Sequence, residues 1–273
     1  EEVFFQQFSV AGPMARDVPD LALLLSVQAG FDDRLPLTRR GEGPRDWGAA
    51  LARDWRRARI GWLGDLKGHL PMEPGVLDTC RAALRHFTDV GCTVDDALPA
   101  FDFESLWRAW LDLRSFSVAG ANGALYENPE KRALLKPEAL WEIERGRALS
   151  AMRVYDAARV RSAWYEALRR LFATYDFLVL PAAQVFPFDA ALDWPHAVGG
   201  REMDTYHRWM QAVVPATMAG LPALAAPAGF GPQGLPAGLQ IIGPAQADLA
   251  VLQIGHAYDQ ASGYARQRSP LLG

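Results

Sequence analysis

Lysine is nearly missing from this chain. Of 28 basic residues among 273, only Lys67, Lys131 and Lys136 are lysines; the rest are arginines, a bias that genomic base composition accounts for. Any chemistry that needs a lysine base therefore has three candidates. Cysteine is also scarce. Cys80 and Cys92 lie twelve apart, too few for a disulfide scaffold, and they read as buried, inert thiols. No run reaches the roughly 18 to 20 apolar residues of a membrane span. The first residues lack the basic and apolar regions of a signal peptide. A cytoplasmic location without a membrane partner is expected. Excess positive charge is absent as well: the net charge is −4 and the pI about 5.8, which excludes the basic footprint of a nucleic-acid binder.

The usual marks of an active centre are absent too. There is no Gly-x-Ser-x-Gly elbow and no Ser-x-x-Lys, and the nine serines are scattered. The five histidines, His69, His86, His196, His207 and His256, include no i, i+4 pair, and there is no Cys-x-x-Cys. No metal and no cofactor are expected. Gly41-Glu-Gly43 opens like a dinucleotide fingerprint, but position 46 is Asp and no strand precedes it. Asp95 and Asp96 are strand neighbours, so their carboxylates point to opposite faces and do not make an acid–base pair.

What the chain does have is apolar bulk: half its residues are hydrophobic and 11% are aromatic. The patterning predicts helices over 17–29, 76–90, 103–118, 205–219 and 248–260, with a moderate and then a longer helix within 137–174. In the first, Asp17 caps and Leu21, Leu24 and Leu25 form the apolar stripe. Loops are predicted over 30–50 and 187–203. Short strands are predicted at 59–63 and from Thr93. The run Asp176–Pro181 reads as a strand buried on both faces, and 221–228 and 238–242 as two more. Pro sits where strands begin, and Gly229, Gly231 and Gly234 are read as positive-φ positions in the connection. Interleaved helices and buried strands give an α/β class, with one mixed β-sheet flanked by helices and no internal domain boundary over 1–273.

Three segments, in order, carry a resemblance. They are Ser9–Leu25 with its Gly-Pro-Met-Ala-Arg stretch, Tyr175–Pro181, and Pro215–Pro244 with Gly220-Leu-Pro-Ala and Gly234-Leu-Pro-Ala-Gly-Leu-Gln-Ile-Ile-Gly-Pro. Together they resemble the amidase signature family of amidohydrolases. The resemblance implies hydrolysis of a carboxamide through a serine acyl-enzyme, with a second serine and a lysine relaying the proton. In the family that machinery lies upstream of the Gly-Pro-Met-Ala-Arg stretch, which here starts at Gly12. The chain is therefore expected to be the C-terminal portion of an amidase domain. It would carry no catalytic residue and be inactive alone, with the N-terminal catalytic segment as its missing partner.

By the same resemblance, Gln184, Phe186, His207, Trp209 and Met210 border the substrate. Met210 stands where the tRNA-dependent amidotransferase subunit has an acid for the glutamine ammonium. A neutral aliphatic or aryl amide is the expected substrate. Two other readings stay open: a non-catalytic module that binds a ligand or partner, and an amidotransferase A-type subunit. Without the upstream part, an unpaired sheet edge and apolar helix faces around Leu21, Leu24 and Leu25 are expected to drive association with that part or with a second copy.

Overall fold

A computed structural model describes residues 8, 10–38 and 46–267. The Gly41–Gly43 motif lies outside them. The strands are β1 (Arg59–Trp62), β2 (Thr93–Asp96), β3 (Phe177–Pro181), β4 (Ala197–Val198), β5 (Arg201–Glu202), β6 (Ala223–Phe230) and β7 (Pro236–Ile242). The helices are α1 (Val18–Gln28), α2 (Val76–Ala83), α3 (Arg85–Asp89), α4 (Phe103–Ala121) and α5 (Gly123–Glu127). They continue with α6 (Pro129–Arg132), α7 (Pro137–Arg147), α8 (Ala151–Leu171), α9 (Val214–Ala219) and α10 (Asp248–Ser262).

Five strands form one mixed sheet in the order β2-β1-β3-β7-β6. β1 runs parallel to β2 and to β3, whereas β7 is antiparallel to both β3 and β6. The continuous apolar run of β3 follows from its central place, since all five of its residues are buried. Leu178 and Leu180 face a core with Trp107, Trp110, Trp164 and Leu168, supplied by α4 and α8. Phe177 and Val179 face the opposite core, with Cys80, Phe87, Ile254 and Tyr258 from α2, α3 and α10. Alternation along one strand thus divides the protein into three layers. No helix among the described residues is long and apolar enough to cross a membrane.

Several local expectations need correction. The predicted helix over 76–90 is two helices, broken at Leu84. On α1, Asp17 does cap, its Oδ1 accepting from Asp20 N at 2.9 Å, but the inward residues are Val18 and Ala22. Leu21 and Leu25 are half-buried, and the exposed residues are Leu23, Leu24 and Val27. α5 and α6 bury no residue, so no apolar stripe announced them. The segment 187–203 carries the small β4–β5 hairpin. Gly229 and Gly234 have the expected positive φ, 102° and 73°. Gly231 serves close packing instead: a Cβ there would stand 2.2 Å from Phe186 Cζ.

Both cysteines are free and buried, and desolvation pushes the Cys80 thiol up to about 12 and the Cys92 thiol up to about 11. Of the arginines on α8, Arg153 donates to Asp112 Oδ2 at 2.9 Å and Arg161 to the Met218 carbonyl at 3.0 Å.

Candidate functional site

In open α/β sheets, ligand sites form beyond the carboxyl ends of the parallel strands. Here the chain leaving β3 passes Gln184, which is fully buried. Gln184 Nε2 donates to the Pro71 carbonyl at 2.9 Å, and its Oε1 accepts from Ala212 N at 3.0 Å. Gln240 of β7 donates from Nε2 to the carbonyls of Pro181 and Ala212, both at 2.9 Å. Two buried amides thereby staple the segment before α9 onto the ends of β3 and β7. Leaving either unpaired would cost about 1–3 kcal/mol, so the attachment is specific.

That segment, 204–213, is a strap. A helix was predicted over 205–219; the structure has a 3₁₀ turn over Arg208–Val213 that kinks at Met210 (φ −110°, ψ 17°) before α9 begins. Three polar side chains root it. Arg208 donates to Glu104 Oε2 at 3.2 Å, Asp204 Oδ2 at 3.1 Å and Gln211 Oε1 at 3.3 Å, with its guanidinium 4.7 Å over the Trp107 ring. Gln211 Nε2 lies 2.9 Å from His69 Nε2. His207, 1% exposed, lies with Nε2 3.3 Å from Glu142 Oε1.

Arg114 Nε has a single hydrogen and sits 2.6 Å from the same Glu142 oxygen. We therefore assign His207 Nε2 as a second donor to that carboxylate. Burial alone would raise the Glu142 pKa; the His207 ring and the Arg114 guanidinium outweigh it and hold the carboxyl below its ordinary value. Burial depresses the His69 pKa, favouring its neutral, hydrogen-bonding form.

The remaining strap residues are aromatic or apolar. Trp209 and Met210 are half-buried. The Trp209 ring meets Phe188 edge-on at 5.4 Å and Tyr206 edge-on at 6.5 Å. The Lys136 ammonium stands 4.3 Å from the Tyr206 ring centroid. Thr205 Oγ1, His207 Nδ1 and Trp209 Nε1 are buried with no hydrogen-bond partner among the described residues. Buried polar groups are ordinarily paired, and the other unpaired ones lie at Trp55, Trp62, His86, Trp107 and His256.

Of the residues singled out from sequence, His207, Trp209 and Met210 share the strap and Gln184 is bonded to it. Phe186 is not with them. It is 5% exposed in the core on the α2 side, and its N–H donates to Glu73 Oε2 at 2.8 Å. Sequence reasoning missed Arg208, Gln211, His69, Glu142, Arg114 and Gln240. The spacing of the rooted residues 207, 208 and 211 was the only local signal, because their partners lie far away in sequence.

Lys67, Lys131 and Lys136 are all exposed. A lysine that acts as a general base needs burial to lose its charge. Ser26, Ser162 and Ser262 spend their hydroxyls on helix carbonyls at 2.8, 2.9 and 3.3 Å, Ser150 caps α8, and Ser115 accepts from Arg145. Among the described residues no group of three or more His, Cys, Asp or Glu side chains is arranged to hold a metal ion. Surface hollows of about 260 and 410 Å³ lie beside α2 and α3 and beside Trp55 and α10, away from the strap.

The fold has known counterparts. A family model described as Amidase matches residues 3–252. The chain is 29% identical to the A-type subunit of the glutamyl-tRNA(Gln) amidotransferase of Brevibacillus brevis, over 96% of this chain and 56% of that protein. It is 31% identical to the corresponding Chloroflexus aurantiacus protein, over 96% and 56%. Among solved structures, a bacterial aryl acylamidase of the amidase signature enzymes superposes with a TM-score of 0.83 at 27% identity, covering 93% of this chain and 53% of that one. A 6-aminohexanoate cyclic dimer hydrolase shares the fold with a TM-score of 0.77 at 20% identity, over 95% and 56%. The chain spans a little over half the length of the relatives it matches.

Proposed function

The chain belongs to the amidase family, and from that premise we propose that it is the substrate-binding part of an enzyme that hydrolyses a neutral carboxamide. The nucleophilic serine, its relay serine and the lysine would come from chain equivalent to the portion of the relatives that this one does not span. The observation that carries the reading is the family match over residues 3–252 in a chain whose lysines are all exposed. In this reading the strap walls the site, with Trp209 and Met210 toward substrate and His207 and Gln184 holding the wall in place.

An amide with no ammonium group fits best, because Met210 offers no carboxylate and the nearby acids are occupied. Asp204 and Glu104 are paired with Arg208, and Glu142 with Arg114. This favours hydrolysis of neutral amides over the role of a glutamine-dependent amidotransferase subunit. A cytoplasmic location goes with it.

The chain alone should release no ammonia from benzamide or acetamide above a heat-denatured control, and a serine-directed fluorophosphonate probe should leave it unlabelled. Turnover, or a labelled serine, would overturn the reading. The edge of β6, which has no further strand beside it among the described residues, and the exposed Leu23, Leu24 and Val27 of α1 are where the complementing segment or a second copy would pack. Light scattering should find association, or dye binding should find exposed apolar surface. A monodisperse monomer that binds no ANS would argue against it.

A further inference from the structure

We propose that His69 and Gln211 form an acid-labile latch that holds the strained turn 64–70 closed against the strap. The latch operates whether or not the neighbouring site hydrolyses an amide.

The turn is held in costly backbone geometry. It leaves the carboxyl end of β1, beside that of β3, and runs to the strap's anchor Pro71. Four of its residues have positive φ: Gly64 at 57°, Leu66 at 55°, Lys67 at 59° and Gly68 at 77°. Glycine adopts that region freely, but a leucine and a lysine side by side there are strained. Such strain persists only where surrounding contacts hold it. Leu66 and Leu70 are buried and fix the shoulders of the turn. Between them, Arg201 of β5 donates to the carbonyls of Gly68 and His69, and the His69 ring meets Gln211.

The His69 contact works in one protonation state only. Arg208 Nη1 donates to Gln211 Oε1 at 3.3 Å, and a guanidinium can only donate. The Gln211 amide is thereby oriented with its NH₂ toward His69, 2.9 Å from Nε2. His69 Nε2 must then carry the lone pair, with the ring proton on Nδ1. A second proton, from solvent, lands on Nε2 and sets two donors face to face. Turning the amide over does not rescue the contact, because its NH₂ would then face Arg208.

Charged groups face the ring from three elements: Asp102 and Glu104 at the start of α4, Arg208 on the strap and Arg201 on β5. Burial, joined by the two arginines, outweighs the two acids and lowers the ring's pKa. Acid does not lift the strap itself. Ala212 N stays bonded to Gln184, and His207 already donates to Glu142 from Nε2, so a second proton leaves that bond intact. The turn is what opens.

The test compares the chain at about pH 8 with the acidic pH at which NMR shows the His69 ring charged. Long-range ¹H–¹⁵N spectra should place the proton of the neutral ring on Nδ1. Gly68 N and Leu70 N donate to Asp65 Oδ1 and to the Asp65 carbonyl, at 2.9 and 3.0 Å. Hydrogen exchange, corrected for the intrinsic effect of pH, should show these amides opening about tenfold more readily in acid, and Ala212 N unaffected. His69→Gln, whose neutral oxygen accepts from Gln211, should keep the turn closed at both pH values. Gln211→Leu should leave it open at both. His86→Leu, on α3 across the sheet, should retain the acid response and so separate it from general destabilisation. A proton on Nε2 of the neutral ring, a ring that stays neutral until the fold melts, exchange of the turn independent of pH, or an acid response that survives in His69→Gln would each overturn the proposal.

Discussion

The two edges of the sheet are built to opposite rules. β2 is four residues long and defended by charge. Arg59 pairs with Asp95 at 2.9 Å, and Arg81 with Asp96 at 3.3 Å, both in solvent. β6 is eight residues long, contains no charged side chain, and beyond β7 has no strand beside it among the described residues. Its exposed positions are Ala223, Ala225, Pro227 and Phe230. Water-facing edges are normally guarded by charge, shortness or cover. β2 meets that rule. β6 has Pro227, a bulge between Pro227 and Gly229, and the Tyr258 and Tyr264 hydroxyls on the Pro227 and Ala228 carbonyls, so its design suits an edge that is covered. One edge is guarded by charge; the other has the make-up of a covered edge.

If so, the machinery that shapes the β6–β7 side should be costly to disturb and that of β2 cheap. The largest effect is expected at Gly231. A methyl there meets the buried Phe186 ring, so Gly231→Ala should destabilise by about 2–3 kcal/mol and lower the Tm by about 5 °C or more. An unchanged melt would show that the turn after β6 is slack.

Next comes Tyr258, whose hydroxyl donates to the Pro227 carbonyl at 2.7 Å and holds the bulge. Tyr258→Phe should cost about 1 kcal/mol in urea unfolding.

Third is an acid limb. His86 lies edge-on between Tyr258 and Tyr264, each ring 5.6 Å away, and burial followed by the Arg85 charge depresses its pKa. The native state therefore binds fewer protons than the unfolded chain. Stability is full above the ordinary histidine pKa of about 6.5 and declines as pH falls through the window below it. His86→Leu should flatten that part of the melting-temperature profile; a slope unchanged by the substitution would assign it elsewhere. The smallest effect is expected at the other edge, where Asp96→Ala should shift stability by no more than about 0.5 kcal/mol.

The same contrast explains what was legible in the sequence. Strands with pattern or punctuation were readable: the apolar run of β3, and β6 and β7 bracketed by Pro222, Gly234 and Pro236. α4, α7, α8 and α10 announced themselves by apolar spacing. The α2–α3 break at Leu84 did not, because the burial pattern continues through it. On α1 the expected stripe is partly right: Leu21 and Leu25 pack against the cluster that Val18 and Ala22 form with Leu51 and Leu252, whereas Leu24 is exposed.

In the site, family-like segments located the strap but not its roots. Glu142 and His207 stand 65 residues apart, and only the packing of α4 and α7 unites them with Arg114. Phe186 was readable as apolar, but which layer it joins depends on Gly231, 45 residues on.

The scarcity of lysine has a practical consequence. Amine-acylating reagents and cross-linkers have three side-chain addresses on this molecule, all exposed. Lys67 precedes Gly68, whose carbonyl takes a hydrogen bond from Arg201, and it lies in the loop between β1 and the strap's anchor Pro71. Lys136 sits against Tyr206, and Lys131 is on α6, whose Arg132 pairs with Glu144 of α7. Mass spectrometry of acylated protein thus has three reporters, of which Lys136 is in contact with the strap. Whatever settles over the strap, whether ligand or polypeptide, would be recorded as a change in the ratio of three peaks.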